Sequence, residues 1–189
     1  MKCRLRKIIF ALFAMLMMVP HTAAASDLAW KALRAGAAIA VLRHARAPGT
    51  GDPPNFRLED CATQRNLSEE GRVQARTIGL RFKEERVPVE RILSSRWCRS
   101  LETARLAFGD RVEPFSPLDS VFAGRGQEEL QTQAVRQTIG AWRSSGVLVL
   151  VTHQVNITAL TGLFPAEGEI LVLKPKAFEG FELVGRIKL

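Results

Sequence analysis

The sequence contains no tyrosine, only three cysteines and three histidines, and no apolar run long enough to cross a membrane. Each scarcity narrows what the chain can do. A bilayer span needs about 20 consecutive apolar residues, whereas the longest uninterrupted stretch, Ile8–Val19, has 12. Three histidines, with neither Asp-x-His nor His-x-x-x-His spacing, make a poor set of metal ligands. Metal-assisted hydrolysis is therefore disfavoured, and no metal or other cofactor is expected. Without tyrosine, and without a basic stripe interleaved with aromatics, the chain offers no platform for nucleic acid. Repeats, low-complexity tracts and interdomain linkers are also missing. What is left is 189 residues, 47% of them apolar, enough for one domain with a proper core.

The first 25 residues are of a different kind from the rest. Lys2, Arg4, Arg6 and Lys7 precede the apolar run, and Pro20-His21-Thr22 then leads into Ala23-Ala24-Ala25. A basic start, an apolar middle and a small-residue end are the pattern of a secretory signal, with cleavage expected after Ala25. An uncleaved anchor is the alternative. Cys3 lies ahead of the apolar run, so it is not a lipoprotein cysteine. Cleavage would take four of the 27 basic side chains and none of the 19 acidic ones, leaving 23 against 19 and a net charge of +4. Residues 26–189 then form the working domain, in the periplasm or secreted, without a stable membrane span. The oligomeric state cannot be read from the sequence.

Along that domain, Ser26–Arg34 reads as a short amphipathic helix, and Ala37–Leu42 as a buried strand ending in Arg43 and His44. Ala47–Gln64, with three prolines and two glycines, reads as an extended loop. Ser68 then caps a helix with Glu69 and Glu70 in its first turn. Arg91–Ser95 is a second strand, Arg99–Phe108 a helix, Val112–Phe115 a third strand and Gln127–Trp142 a further helix. Val147–Val151 is an unbroken β-branched strand that ends at Thr152-His153. A helix over Val155–Leu163 follows, then a hairpin of Ile170–Leu173 and Phe181–Lys188. Strands alternating with helices call for a three-layer α/β/α fold with a mainly parallel central sheet.

In such a sheet, loops at the carboxyl ends of the strands line the ligand crevice. The first strand delivers Arg43 and His44 there, the second leads to Arg99, and the fourth delivers His153. Two arginines can neutralise and orient a phosphoryl group, and a neutral imidazole can attack it. The chain resembles the histidine phosphatase superfamily, with its phosphoglycerate mutase-like fold. The resemblance is carried by Leu42-Arg43-His44-Ala45, by the run from Asn66 to Ala75 (NLSEEGRVQA), by the run from Ser94 to Ala104 (SSRWCRSLETA), and by Val151-Thr152-His153, in family order. It implies a phosphomonoester hydrolase in which His44 becomes phosphohistidine and Arg43, Arg99 and His153 complete the phosphate pocket. Arg99 rather than Arg96 fits the family's Arg-x-x-x-Thr spacing, ending at Thr103. A small phosphorylated substrate is the implied partner. A phosphoglycerate mutase-like phosphotransferase and a non-catalytic phosphate-binding protein are the competing readings.

The chain departs from the family pattern at Ala45, where glycine is usual, and at Gln154, where glycine or glutamate is common. Ala45 also occurs in periplasmic members resembling lipopolysaccharide core heptose phosphatases, a branch whose substrates would be envelope phosphosugars. The family often places a carboxyl proton donor between the second arginine and second histidine. Asp119 is the candidate here, ahead of Glu128 and Glu129, with Asp52, Glu59 and Asp60 of the long loop as rivals. Once Cys3 leaves with the signal, Cys61 and Cys98 are the single possible internal pair in an oxidising compartment. Both are expected at the sheet's carboxyl edge, where a bridge would tie the long loop to the segment presenting Arg99.

Overall fold

The computed structural model describes residues 21–124, 127–176 and 180–189. The apolar run of the expected signal, Ile8–Val19, lies outside the described residues. Among those residues the chain forms one six-stranded sheet and five helices: α1 (His21–Ala35), β1 (Ile39–Arg43), α2 (Glu69–Glu84), β2 (Val89–Ser94), α3 (Cys98–Phe108), β3 (Val112–Pro114), α4 (Glu128–Gly140), β4 (Val147–Thr152), α5 (Gln154–Thr161), β5 (Ile170–Lys176) and β6 (Gly180–Ile187). Helix α1 begins before the expected cleavage point after Ala25 and runs across it.

The strand order is β3-β2-β4-β1-β5-β6. Pairings β3–β2, β2–β4 and β4–β1 are parallel, whereas β1–β5 and β5–β6 are antiparallel. Central strands β1 and β4 are covered on both faces, so they read as continuous apolar runs. Alternate side chains sort into two cores. Ala40, Leu42, Val149 and Val151 meet Trp30 and Leu33 of α1, Ile78 and Phe82 of α2 and Ala104 of α3. Val41, Leu148 and Leu150 meet Val135 and Ile139 of α4 and Ile157 and Leu160 of α5. The expected three layers are thus present.

Parallel registration brings the site together. Arg43 pairs with Thr152, and Ser94 with Val151. The next residues of the three strands, His44, His153 and Ser95, therefore leave the sheet side by side at its carboxyl edge. The His44 N–H still donates to the Thr152 carbonyl, and the Ser95 N–H to that of Val151, both at 2.9 Å. Ser68 caps α2 by accepting from the Gly71 N–H. A Cβ on Gly71 would sit 2.1 Å from the Arg46 carbonyl oxygen, so glycine there lets α2 lie against the segment after His44.

The segment expected to be extended, Ala47–Gln64, is instead wrapped upon itself. Its end forms a single 3₁₀ turn, Cys61–Thr63, capped by Asp60. The Gln64 amide donates to the Arg57 and Leu58 carbonyls at 3.1 and 2.8 Å. Prolines and glycines rule out regular structure here, but they do not prevent side chains from satisfying the loop's backbone. Cys61 and Cys98 are joined by a disulfide, with Cα atoms 5.7 Å apart. It ties this loop to the first residue of α3.

Candidate active site

A crevice of about 250 Å³ opens at the carboxyl edge, lined by Arg43, His44, Arg65, Arg99 and His153. Four of these five are the residues expected from the strand ends. Phe122 and Phe164, both exposed, stand at its walls together with Gln154. Gln154 Nε2 donates along α5 to Thr158 Oγ1.

The two imidazoles meet edge to face with centroids 5.4 Å apart. Each is almost completely buried. Burial first, and the nearby Arg99 guanidinium second, hold both rings well below the ordinary histidine pKa of 6.5, so both are neutral. His44 Nδ1 lies 2.8 Å from the Ala45 carbonyl oxygen. A carbonyl only accepts, so Nδ1 carries the proton and Nε2 keeps its lone pair. Ala45 itself has no need of glycine's freedom, since its φ is not positive. Its N–H donates to Thr103 Oγ1 at 3.0 Å, and that hydroxyl donates to the Arg99 carbonyl at 2.7 Å. The Arg-x-x-x-Thr spacing therefore clamps the histidine loop to α3.

Arg99 is oriented by a buried partner. Its Nη1 donates to Asp52 Oδ1 at 2.7 Å and its Nη2 to Oδ2 at 3.3 Å. Asp52 also accepts from Trp97 Nε1 and from the Arg65 N–H. Burial pushes the Asp52 carboxyl up, but the Arg99 guanidinium outweighs it and holds the group below the usual carboxylate range. Asp52 is thus an anion bound to arginine. Arg43 donates to the Pro165 carbonyl at 2.9 Å and lies 3.8 Å from Glu167. Arg65 is anchored on the Gly51 and Ala47 carbonyls. Sequence reasoning missed it because it ends no strand. Its position directly before the Asn66-Leu67-Ser68 run was the available signal.

Two guanidinium N–H groups, Nε of Arg43 and Nε of Arg99, are buried without a partner among the described residues. Unpaired buried donors of positive charge beside two neutral imidazoles call for an anion with several acceptor oxygens. Arg96, by contrast, is half exposed and pairs with Asp119. Asp119 does not line the crevice. It lines a neighbouring cavity with Arg96 and Trp97, its carboxylate accepting from Arg96 N at 2.8 Å, Arg96 Nε at 2.7 Å and Ser95 Oγ at 3.3 Å. Among the described residues, the crevice lining holds no carboxylate.

The sequence family model for the histidine phosphatase superfamily (branch 1) matches residues 39–145, more than half of the chain. The chain belongs to the histidine phosphatase superfamily. Comparison with curated proteins gave no match. Solved structures similar to this histidine phosphatase include a phosphoserine phosphatase from Entamoeba histolytica in complex with 3-phosphoglyceric acid. It is 14% identical, with a TM-score of 0.59 over 80% of this chain and 97% of that one. The protein histidine phosphatase SixA complexed with tungstate is 15% identical, with a TM-score of 0.56 over 80% and 96% of the two chains. A mycobacterial glucosyl-3-phosphoglycerate phosphatase, Rv2419c, complexed with VO3 is 17% identical, with a TM-score of 0.55 over 77% and 96%. At these identities the likeness is one of fold, and it agrees with the mostly parallel sheet described above.

Proposed function

We propose that this histidine phosphatase hydrolyses an extracytoplasmic phosphomonoester through a phosphohistidine on His44. The observation that carries the reading is the 2.8 Å contact of His44 Nδ1 with the Ala45 carbonyl oxygen. With Nδ1–H held by the Ala45 carbonyl, Nε2 of His44 keeps a free lone pair in a crevice lined by three arginines. Arg43, Arg65 and Arg99 bind the phosphoryl oxygens. Nε2 then forms the N–P bond as the ester P–O bond breaks in line, the charge of the equatorial oxygens held by guanidinium donors and the leaving alkoxide taking its proton from solvent. Water cleaves the N–P bond in the second half, releasing inorganic phosphate and restoring neutral His44.

Export is supported by the basic and apolar leader and fits the Cys61–Cys98 bridge. A substrate from the cell envelope, such as a phosphosugar, follows from that location. The test is hydrolysis of p-nitrophenyl phosphate with and without chelator, for the parent and for His44→Ala. Chelator-insensitive activity, inhibited by vanadate and lost by several orders of magnitude in His44→Ala, is expected. Full activity in that variant would refute the reading, and sequencing the mature N-terminus tests export separately.

A further inference from the structure

Behind the crevice, His153 heads a buried chain of polar groups that the phosphate reading leaves unused. Its Nε2 lies 2.8 Å from Ser95 Oγ, and Ser95 Oγ lies 3.3 Å from Asp119 Oδ1. His153, Ser95 and Asp119 are all buried. The Trp97 N–H also donates to Ser95 Oγ, at 3.3 Å. The hydroxyl has a single proton to give, and of its neighbours Asp119, ion-paired with Arg96, is the acceptor. The proton therefore goes to Asp119, and the hydroxyl oxygen accepts from His153 Nε2–H. The remaining nitrogen, Nδ1, is left with its lone pair, 3.5 Å from Arg99 Nη2.

We infer that Ser95 and Asp119 form a relay that fixes the tautomer of His153 and allows it to take a second proton when a phosphate group enters. Neutral His153 in this tautomer has no donor at Nδ1 for a phosphoryl oxygen. It gains one only as the imidazolium, with Nε2–H still held by Ser95. One proton is taken up, from solvent or with the substrate monoanion, and it is returned when phosphate leaves. In the empty crevice the groups facing His153 oppose this: Arg99, Arg43, Arg65 and His44 all disfavour a positive ring. Asp52 is committed to Arg99. Asp119, paired with the half-exposed Arg96, is joined to the ring through Ser95. An entering phosphate dianion adds the charge that tips the balance. Asp119 is on this account a positioning residue, not the donor to the leaving oxygen.

The inference rests on the phosphate-site reading, but its first test needs no turnover. In nitrogen-15 spectra of the intact protein, the His153 proton should sit on Nε2 when the crevice is empty, and both nitrogens should be protonated with inorganic phosphate bound. A proton on Nδ1 in the empty state, or a ring that stays neutral with phosphate bound, would overturn the relay. Neither result bears on whether His44 is phosphorylated. The second test compares pH profiles of kcat for p-nitrophenyl phosphate. If imidazolium is the working form, activity falls on the alkaline side as His153 loses its proton. Asp119→Asn should move that limb down by on the order of one pH unit, as expected on removing a nearby opposite charge. The loss should therefore be severalfold larger at pH 8 than at pH 5.5. An equal loss at every pH would mark a merely structural role and overturn the proposal.

Discussion

Asp52→Ala strikes the buried pair that orients Arg99, and its consequences have opposite signs for stability and for anion binding. The Arg99 and Asp52 side chains are only 3% and 4% exposed. Removing the carboxylate leaves a buried guanidinium uncompensated, together with the Trp97 indole N–H and the Arg65 N–H that Asp52 also accepts. Breaking a buried pair from one side costs about 3–5 kcal/mol. For a domain of this size, about 2–4 °C of melting temperature is lost per kcal/mol, so the variant should melt roughly 6–20 °C below the parent. Inorganic phosphate supplies the missing negative charge, so it should raise the melting point of the variant more than that of the parent. Thermal unfolding by circular dichroism, with and without phosphate, measures both quantities. A variant that melts within 2 °C of the parent, or gains no more from phosphate, would refute the reasoning.

The remaining predictions concern charge, geometry and the cross-link. Both histidines have their folded pKa depressed, so the unfolded chain protonates first, and stability is full above about pH 6.5 and lost as pH falls below it. The loss should be about 1 kcal/mol per histidine over the first pH unit, read by urea unfolding at pH 6.5 and 5.5, and about halved in His44→Asn; a flat profile contradicts it. Arg99→Lys keeps the charge but loses the planar fork, and should raise the barrier by about 2–4 kcal/mol in kcat/KM, while Arg96→Lys should retain most activity. A reversal of these two would move the phosphate site onto the loop before α3. Removing the bridge with Cys61→Ala and Cys98→Ala opens a link spanning 37 residues and should cost up to about 4 kcal/mol by the chain-entropy estimate. Equal denaturant midpoints for the two proteins would count against it.

The parts of this fold that were legible in sequence are those whose burial is two-sided. Strands β1 and β4 are covered on both faces, and their continuous apolar runs announce them together with the residues at their ends. That is why the sequence alone places Arg43, His44 and His153 at one edge. Arg99 needed more, because Arg96 stands three residues away; the Arg-x-x-x-Thr pattern implied by the family resemblance separates them, and the Thr103 hydroxyl explains why. The groups that escaped placement are held by tertiary contacts. Arg65 and Asp52 belong to a loop whose path is set by its own side-chain bonds and by the Cys61–Cys98 link, neither of which leaves a periodic trace. Asp119 is the proton-donor candidate by its position between Arg99 and His153, and that position says nothing of which side of His153 it occupies. The structure places it in the lining of a neighbouring cavity with Arg96 and Trp97, joined to the ring through Ser95.

The central claim is that His44 carries the phosphoryl group, and trapping it tests this most directly. The protein is mixed briefly with a phosphomonoester substrate, quenched at alkaline pH where an N–P bond survives, digested and read by mass spectrometry. Phosphate on the peptide containing His44, absent from His44→Ala and labile to acid, is the predicted result. Phosphate on His153 or on a serine, or turnover by the parent with no phosphorylated peptide under single-turnover conditions, would contradict it.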